Sequence, residues 1–439
     1  MASDLDNELA RLPSSCDQTG LSTQEEEAGD LPPSQEFSLP PVDSGKDAWL
    51  MLASAFLIEG FVWVALGVMY LGSPIGLSLL QRWPAYRRPS SIAGLMISSG
   101  ALALSSFATH VWQLILTQGV LWAIGASLLY HPILLFIDEW FVRRKGLAYG
   151  IMWVGTSLLR LLLCLGLTDD QAGTAISGAT VPYVYTWLLS TYSYPTAMRV
   201  WSIAAFIVPA ILLLFAKPRL PVARSQHAPR RSPSFRFVLT RRFLFYQLGN
   251  TLQGLGYFIP SIYLPSYARS LGLNAAAATT PLALVNLGAF IGSIAAGALC
   301  DSFDVSFVVA GLSVGAAAAS FLLWGLSGRV AVGLVYVFAV AYGLSAGSFA
   351  STWPGVIKDV AKGGEVVLET GPAFGLLGAG RGIGSIASGP LSEALLRVGS
   401  SNKNAAFGYG TEYGSLIIFT GVAMLLGGTS FGAKRLGLM

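Results

Sequence analysis

Apolar segments of about twenty residues recur along most of this chain, and they constrain its fold more than any other feature. An α-helix of that length crosses the roughly 30 Å of hydrocarbon in a bilayer. The chain is 53% apolar and 11% charged, whereas about a quarter of the residues in soluble domains are charged. We therefore expect an all-α, multi-pass membrane protein with eleven spans, at approximately 48–72, 90–108, 111–137, 146–168, 197–216, 243–268, 282–300, 305–326, 329–350, 373–396 and 414–434.

The N-terminal segment has a different composition, rich in acids, serine and proline. A segment of this kind cannot bury enough apolar surface to fold, so we expect residues 1–47 to form a disordered acidic tail. The tail also lacks the basic start and apolar stretch that are typical of a secretory signal peptide.

Basic residues are concentrated between the apolar segments. They cluster at 82–88, 143–145 and 434–435, and the linker 217–242 carries eight lysines or arginines and no acid. Basic loops stay in the cytoplasm, so the net charge of +4 is explained without a nucleic-acid partner. The linker, which we expect to be cytoplasmic, divides the membrane region into an N-terminal helical bundle, 48–216, and a C-terminal helical bundle, 243–434.

A weak internal repeat relates the two bundles. In 72–88 and in 292–307 a glycine precedes a polar turn by four or five residues: Gly76 precedes Gln81, and Gly297 precedes Asp301. Two halves with equivalent inner loops are common in transporters, whose site lies between the halves. Chance similarity between glycine-rich helices is the alternative.

The sequence lacks the common nucleotide and metal motifs. No G-x-x-x-x-G-K-[ST] is present, and the glycine-rich stretch at 378–384 has Ile383 where a dinucleotide-binding loop needs glycine. The three cysteines and three histidines have no metal-like spacing. We therefore expect no cofactor, no metal and no enzymatic activity.

Four segments, in chain order, resemble motifs of the monocarboxylate porter family of the major facilitator superfamily, specifically those of its fungal members. These segments are DSGKDAW (43–49), EWFVRRKGLAYGIMWVGTS (139–157), QLGNTLQGLGYFIPSIYLPSYA (247–268) and GRGIGSIASGPLSEAL (380–395). The resemblance covers about 48–434.

This resemblance implies the major facilitator fold, with two pseudo-symmetric helical bundles and twelve spans. It also implies secondary active transport of a small organic anion, such as a monocarboxylate or a secondary metabolite, by alternating access. The expected partners are the lipid bilayer and that substrate, with proton symport as an option, in the plasma membrane. The oligomeric state stays open. The alternatives are a membrane sensor or scaffold that does not transport, or a transport-defective variant.

The chain departs from the family pattern in its first half. Only 32 positions separate Trp49 from Gln81, whereas two spans and a loop need about 45. Gln81 stands where the superfamily usually has aspartate, and the segment 158–176 interrupts what should be one span. A lost exon and a retained intron would produce both length anomalies; divergence is the alternative.

Arg381 is the first candidate for substrate binding. An arginine within a span is costly and usually faces a cavity or a partner. Its guanidinium has a fork of donors that suits a carboxylate, and the glycines on both sides of it leave space. The alternative is a structural arginine that binds the carbonyl groups of a broken helix.

Further candidates lie in the span 243–268. Gln247, Asn250 and Gln253 recur at three-residue spacing and therefore share one helix face. Tyr257 and Tyr263 extend this polar stripe. We predict that Asn250, Gln253, Tyr257 and Tyr263 bind substrate; hydrogen bonding between helices is the alternative.

Glu59 is the only carboxylate deep in the clear spans of the first half. Burial would raise its pKa, so it could carry a proton through the transport cycle; a packing or capping role is the alternative. Arg143, Arg144, Lys145 and Asp301 are predicted to form an inner-loop gate.

The glycine pairs 288/292 and 343/347 have the spacing of small-residue motifs in membrane helices. We expect them to be packing seams between helices rather than sites.

Overall fold

The computed structural model describes residues 43, 45–53, 66–153, 192, 194–219, 235–329, 331–362, 369–398 and 407–439. Within these ranges the regular structure is entirely helical. Glu59, the whole interrupting segment 158–176 and the region where a span is expected to be shortened lie outside the described residues.

The first half begins with helical residues 46–53, followed by α1 (Leu66–Arg82), α2 (Arg87–Ser105) and α3 (Val111–Trp140). Residues 145–153 are helical, and α4 is Tyr194–Phe215. The first helix thus starts at residue 46, two residues before the predicted start of the bundle at 48.

The second half contains α5 (Arg241–Ser270), α6 (Ala275–Ser302), α7 (Val305–Trp324), α8 (Gly333–Ala361) and α9 (Thr370–Val398). It ends with α10 (Gly414–Leu426) and α11 (Thr429–Arg435), which meet at an angle of 41°. Side chains of Thr240, Asn274 and Asp304 accept hydrogen bonds from the first turns of α5, α6 and α7, which fixes where these helices begin.

Five described helices combine the length and mean hydropathy of a membrane span: α3, α4, α6 from Ala277, α7 and α8. The bent pair α10 and α11 makes a sixth candidate. The helices α5 and α9 are long enough, with 30 and 29 residues, but they carry prolines, glycines and polar side chains. Length and mean hydropathy therefore identify the more apolar helices as spans and miss α5 and α9.

The basic ends of the helices meet on one side of the bundle. Arg87 pairs with Glu139, which also accepts a hydrogen bond from the amide of Arg219 at 3.1 Å. On the same side, Lys434 pairs with Asp304. This is the arrangement expected if the basic loops share the cytoplasmic side, and we call it the inner side.

The glycine pairs predicted to be packing seams pack against each other where α6 crosses α8. A Cβ atom on Gly292 would lie 2.3 Å from the Leu344 carbonyl oxygen, and one on Gly343 would lie 2.2 Å from that of Val285. Gly288 and Gly347 are equally close to the opposite helix. The backbones approach so closely that only hydrogen fits, and the packing expectation is correct.

We predict that Gly292→Ala destabilises the protein by about 1–3 kcal/mol, because the added methyl group must push two backbones apart. Gly311→Ala on α7 is the matched control, since a Cβ there would meet no atom within 4 Å. An alanine at that position should be neutral or stabilising. Thermal unfolding of the purified variants measures both effects, and equal melting temperatures would contradict the seam.

Candidate substrate site and inner gate

Arg381 lies in α9, eleven residues beyond Thr370 and therefore about 17 Å along the helix axis. The residue is 3% exposed. Its Nη1 donates a hydrogen bond of 2.7 Å to Oε1 of Gln253, and its Cζ lies 4.3 Å from the ring centroid of Tyr257. Gln253 and Tyr257 are one turn apart on α5, so one helix face supplies both contacts.

The partners of Arg381 in the described part of the chain are neutral. None of the ion pairs within these ranges includes this residue. A guanidinium has five N–H donors and is always charged at physiological pH, and the ring of Tyr257 stabilises only its face. Among the described residues, the cluster thus presents a positive charge without an acidic partner in the middle of a span.

Gln253 also ties this cluster to α8. Its Nε2 donates to the carbonyl of Ala346 at 3.2 Å, within a π-helical turn that runs from Gly343 to Gly347. Such turns break the regular hydrogen-bond ladder and are frequent at functional sites. The side chain that binds Arg381 is therefore itself held in place.

Asn250 is part of a structural network in this conformation. Its Nδ2 donates to the Leu377 carbonyl at 2.7 Å, and its Oδ1 accepts from Nε1 of Trp353 at 3.1 Å. Gln247 donates in the same way to the Leu376 carbonyl at 2.7 Å. These bonds join α5, α8 and α9, the arrangement that the alternative of interhelical hydrogen bonding describes.

Tyr263 is six residues beyond Tyr257, about 9 Å further along α5. Its hydroxyl lies 3.0 Å from Oγ of Ser392 on α9. No described contact joins Tyr263 to Arg381. The structure thus brings Arg381, Gln253 and Tyr257 together, places Asn250 beside them, and leaves Tyr263 apart.

An aromatic cluster lies on the inner side of Arg381 and joins the two halves. The ring of Trp353 packs against Trp153 at 5.8 Å, Phe374 at 5.3 Å and Tyr70 at 6.1 Å, and Phe374 stacks on Tyr149 at 5.1 Å. Sequence analysis missed this cluster, although two of its members lie in the motif 139–157. Phe374 lies between Thr370 and Arg381 on α9, so the cluster is nearer to the inner end of that helix than Arg381 is.

Asp301 closes the inner side below the aromatic cluster. Its two carboxylate oxygens accept hydrogen bonds of 2.9 Å from the amides of Gly146 and Leu147. These amides belong to the first turn of the helix 145–153, where N–H groups are unpaired and the helix dipole favours a negative charge. A Cβ on Gly146 would lie 2.3 Å from the Gly297 carbonyl oxygen, so the backbones meet directly.

Gln81 makes the equivalent contact from the first half. Its Oε1 accepts a hydrogen bond of 2.9 Å from the amide of Gly371, in the first turn of α9. The two polar turns of the internal repeat thus each reach the N-terminus of a helix in the other half. A neutral amide gains less from the helix dipole than a carboxylate does, so the two contacts are unequal.

The three basic residues of the predicted gate act through their backbone and a local ion pair. The amides of Val142, Arg143 and Arg144 donate to the carboxylate of Asp43 at 2.8–3.1 Å, and Lys145 pairs with Asp138. Burial opposes ionisation of Asp43, but these amides and the charge of Arg143 hold its pKa below the usual value. Two of the four motifs, 43–49 and 139–157, are therefore bound to each other.

Within the described ranges, no group of three His, Cys, Asp or Glu side chains could hold a metal ion. The polar groups at the site are amides, hydroxyls and one guanidinium. Such a set of groups can bind an anion.

Comparison with known proteins identifies the family. The model of the Major Facilitator Superfamily matches residues 170–387. Human monocarboxylate transporter 11 is 30% identical over 397 residues, which cover 80% of this chain and 78% of that protein. The MFS-type transporter pynF of Aspergillus niger is 26% identical and covers 76% of this chain and 71% of its own length. The Fujikurins efflux protein of Gibberella fujikuroi is 25% identical, and the match covers 90% of this chain and 74% of that protein.

Solved structures show the same fold. The Escherichia coli fucose:proton symporter superposes with a TM-score of 0.56 at 15% identity, over 89% of this chain and 94% of that one. The human organic anion transporter MFSD10 superposes with a TM-score of 0.56 at 13% identity, over 86% of this chain and 83% of that one. The expected fold class is thereby confirmed, and the relatives in these comparisons are named as transporters. The chain is a multi-pass membrane protein of the major facilitator superfamily, and it belongs to the monocarboxylate porter family together with its fungal members.

Proposed function

We propose that this protein is a secondary active transporter that moves a small organic anion across the membrane by alternating access. The observation that carries the proposal is Arg381, a buried permanent charge with only neutral described partners. Membership of a transporter family supports membrane transport in general. The proposal that the substrate is an anion depends on this one side chain.

A carboxylate of the substrate would bind the free donors of Arg381. Burying an unpaired arginine in a bilayer span costs several kcal/mol, and a bidentate carboxylate returns much of that cost through two charge-assisted hydrogen bonds. Gln253 and Tyr257 hold the guanidinium plane, one through its edge and the other through its face. The substrate therefore meets a fork that is already oriented.

Alternating access would follow from the contacts on the inner side. The aromatic cluster and the contacts of Asp301 and Gln81 close that side, so substrate would reach Arg381 from the outer side. Inward release requires Asp301 to leave the amides of Gly146 and Leu147. Asn250 would contact the substrate only by exchanging its bonds to Trp353 and to the Leu377 carbonyl, both of which lie within the second half.

The remaining assignments belong to the same proposal. The bundles 48–216 and 243–434 would move against each other about the linker 217–242, in the plasma membrane. Tyr263 would line the route to the site, and Glu59 would couple transport to protons. The relative named as a fujikurins efflux protein supports a fungal metabolite as one class of cargo.

We predict that Arg381→Ala lowers transport by about 10- to 100-fold, because loss of hydrogen bonds to a charged group costs roughly 1.5–3 kcal/mol. Arg381→Lys should not restore activity, since a point charge cannot form the bidentate contact. Uptake of a panel of labelled carboxylates into proteoliposomes measures the effect.

Arg397→Ala is the matched control on the same helix. Arg397 is highly exposed, and its ion-pair partner among the described residues is Glu393, four residues earlier. An exposed pair of this kind is worth little. Normal transport by the lysine variant would contradict the bidentate role. Normal transport by the alanine variant would contradict the site.

The inner gate generates a separate prediction. Asp301→Asn should open the inner side, because an amide group offers one acceptor oxygen where the carboxylate uses two. Gly146→Ala should do the same without a change of charge, since its methyl group would displace the Gly297 carbonyl. We expect each variant to accelerate maleimide labelling of the buried Cys300, measured in a Cys16→Ser, Cys164→Ser background.

Asp304→Asn and Gly100→Ala serve as controls. Asp304 pairs with Lys434 within the second half, and a Cβ on Gly100 would meet no atom within 4 Å. Because Gly146→Ala leaves the charge beside Cys300 unchanged, its labelling rate separates opening from an electrostatic effect on the thiol. Unchanged labelling in both gate variants would show that these contacts do not hold the inner side closed.

A further inference from the structure

A cavity lies on the inner side of the protein, between its two halves. Its volume is about 280 Å³. The first half contributes the segment from Asp138 to Tyr149, and the second half contributes the inner ends of α6, α8 and α9. Phe374 and Tyr149 line it as well, and both belong to the aromatic cluster that separates it from Arg381. It is therefore distinct from the proposed substrate site.

The acidic side chains of this cavity are already satisfied. Asp138 pairs with Lys145, and both oxygens of Asp301 accept amide hydrogen bonds from Gly146 and Leu147. Neither carboxylate therefore needs another cationic side chain of the cavity as a partner.

Two basic side chains of the cavity are not paired with these carboxylates. Arg143 and Lys358 line it from opposite halves, and neither forms an ion pair with another described residue. The backbone amide of Arg143 donates to Asp43 and its charge acts on that carboxylate from a distance, but the Arg143 side chain forms no hydrogen bond with a described residue. The N-terminal residue of α9, Thr370, lines the same space, and the dipole of this long helix adds positive potential.

We propose that this cavity binds a small phosphate-bearing anion from the cytosolic side, held between Arg143 and Lys358. Guanidinium and ammonium groups are the side chains that bind phosphate oxygens. A cavity of this volume is just below the range of roughly 300–1,000 Å³ for drug-sized ligands, so it fits phosphate, pyrophosphate or a phosphate monoester group. A free phosphate compound and the head group of an anionic lipid share this chemistry.

Binding at this position would regulate the transporter. Arg143 belongs to the first half and Lys358 to the second, so an anion between them links the halves across the closed inner side. An anion that binds only this closed state lowers the inward-open fraction by the factor 1 + [L]/Kd, about elevenfold at ten times the dissociation constant. The cytosolic anion would thus slow transport without touching Arg381.

Labelling of Cys300 reports both occupancy and closure, because this thiol also lines the cavity. The full chain with Cys16→Ser and Cys164→Ser is reconstituted in phosphatidylcholine nanodiscs and treated with maleimide. Sodium pyrophosphate is titrated against sodium chloride of equal ionic strength. A parallel sample contains phosphatidic acid in the nanodisc and no pyrophosphate.

We expect labelling to slow about tenfold at saturation in at least one arm. Protection by pyrophosphate identifies a soluble anion as the source, and protection by phosphatidic acid alone identifies a lipid head group. Lys358→Gln and Arg143→Gln should each abolish the protection. Lys362→Gln should retain it, because Lys362 is an exposed cation one turn further on that does not line the cavity.

Two results would overturn the proposal. One is labelling that neither pyrophosphate nor phosphatidic acid slows beyond the chloride control. The other is protection that persists in Lys358→Gln and Arg143→Gln. A circular dichroism spectrum and melting temperature equal to those of the parent establish that each variant is folded, so loss of protection reports loss of the site.

Discussion

A guanidinium that cannot lose its proton is buried near the middle of α9, and the architecture around it follows from that constraint. A bilayer provides no water to solvate Arg381. The protein must therefore provide acceptors for the N–H donors of this side chain and space around its guanidinium group. Gln253 contributes an oxygen, Tyr257 contributes a ring face, and α8 departs from regular helical geometry at the point where it anchors Gln253. Among the described residues no carboxylate pairs with this charge, and for this reason we propose that the substrate supplies one.

In the proposed mechanism, the contacts on the inner side would let such a charge be reached from one side of the membrane at a time. Backbones meet there through glycines, and a carboxylate and an amide each bind the start of a helix in the opposite half. Hydrogen bonds between a side chain and a helix N-terminus need no ion pair and leave no buried charge behind when they break, because water can solvate both groups. Contacts of this kind can therefore form and separate repeatedly, as a transport cycle requires.

The sequence predicts the helical architecture and the charged inner loops, because both depend on patterns that extend over many residues. Arg381, Gln253 and Tyr257 could also be predicted as candidates, since a charge within an apolar segment and a polar helix face are local signals. The aromatic cluster and the role of Asp43 could not be predicted from the sequence. Trp353 and Phe374 are ordinary apolar residues in sequence, and only the crossing of α8, α9 and the helix 145–153 brings them together.

Asn250 illustrates the opposite limit. Its position on the polar face of α5 predicted a substrate ligand, but helix spacing gives no information on what lies across that face. In the structure both ends of its amide are bound to neighbouring helices. A polar side chain between membrane helices gains as much from a carbonyl group as from a ligand, and the pattern in one helix cannot distinguish the two.

The most direct test of the central claim is transport of matched pairs of compounds by the unmodified full chain in proteoliposomes. Each pair consists of a carboxylate and its methyl ester, corrected for passive entry of the ester in liposomes without protein. If Arg381 binds the substrate carboxylate, at least one acid is transported and its ester is transported about 10- to 100-fold less well, since the ester cannot form charge-assisted bonds. Equal protein-dependent transport of acid and ester would contradict the account.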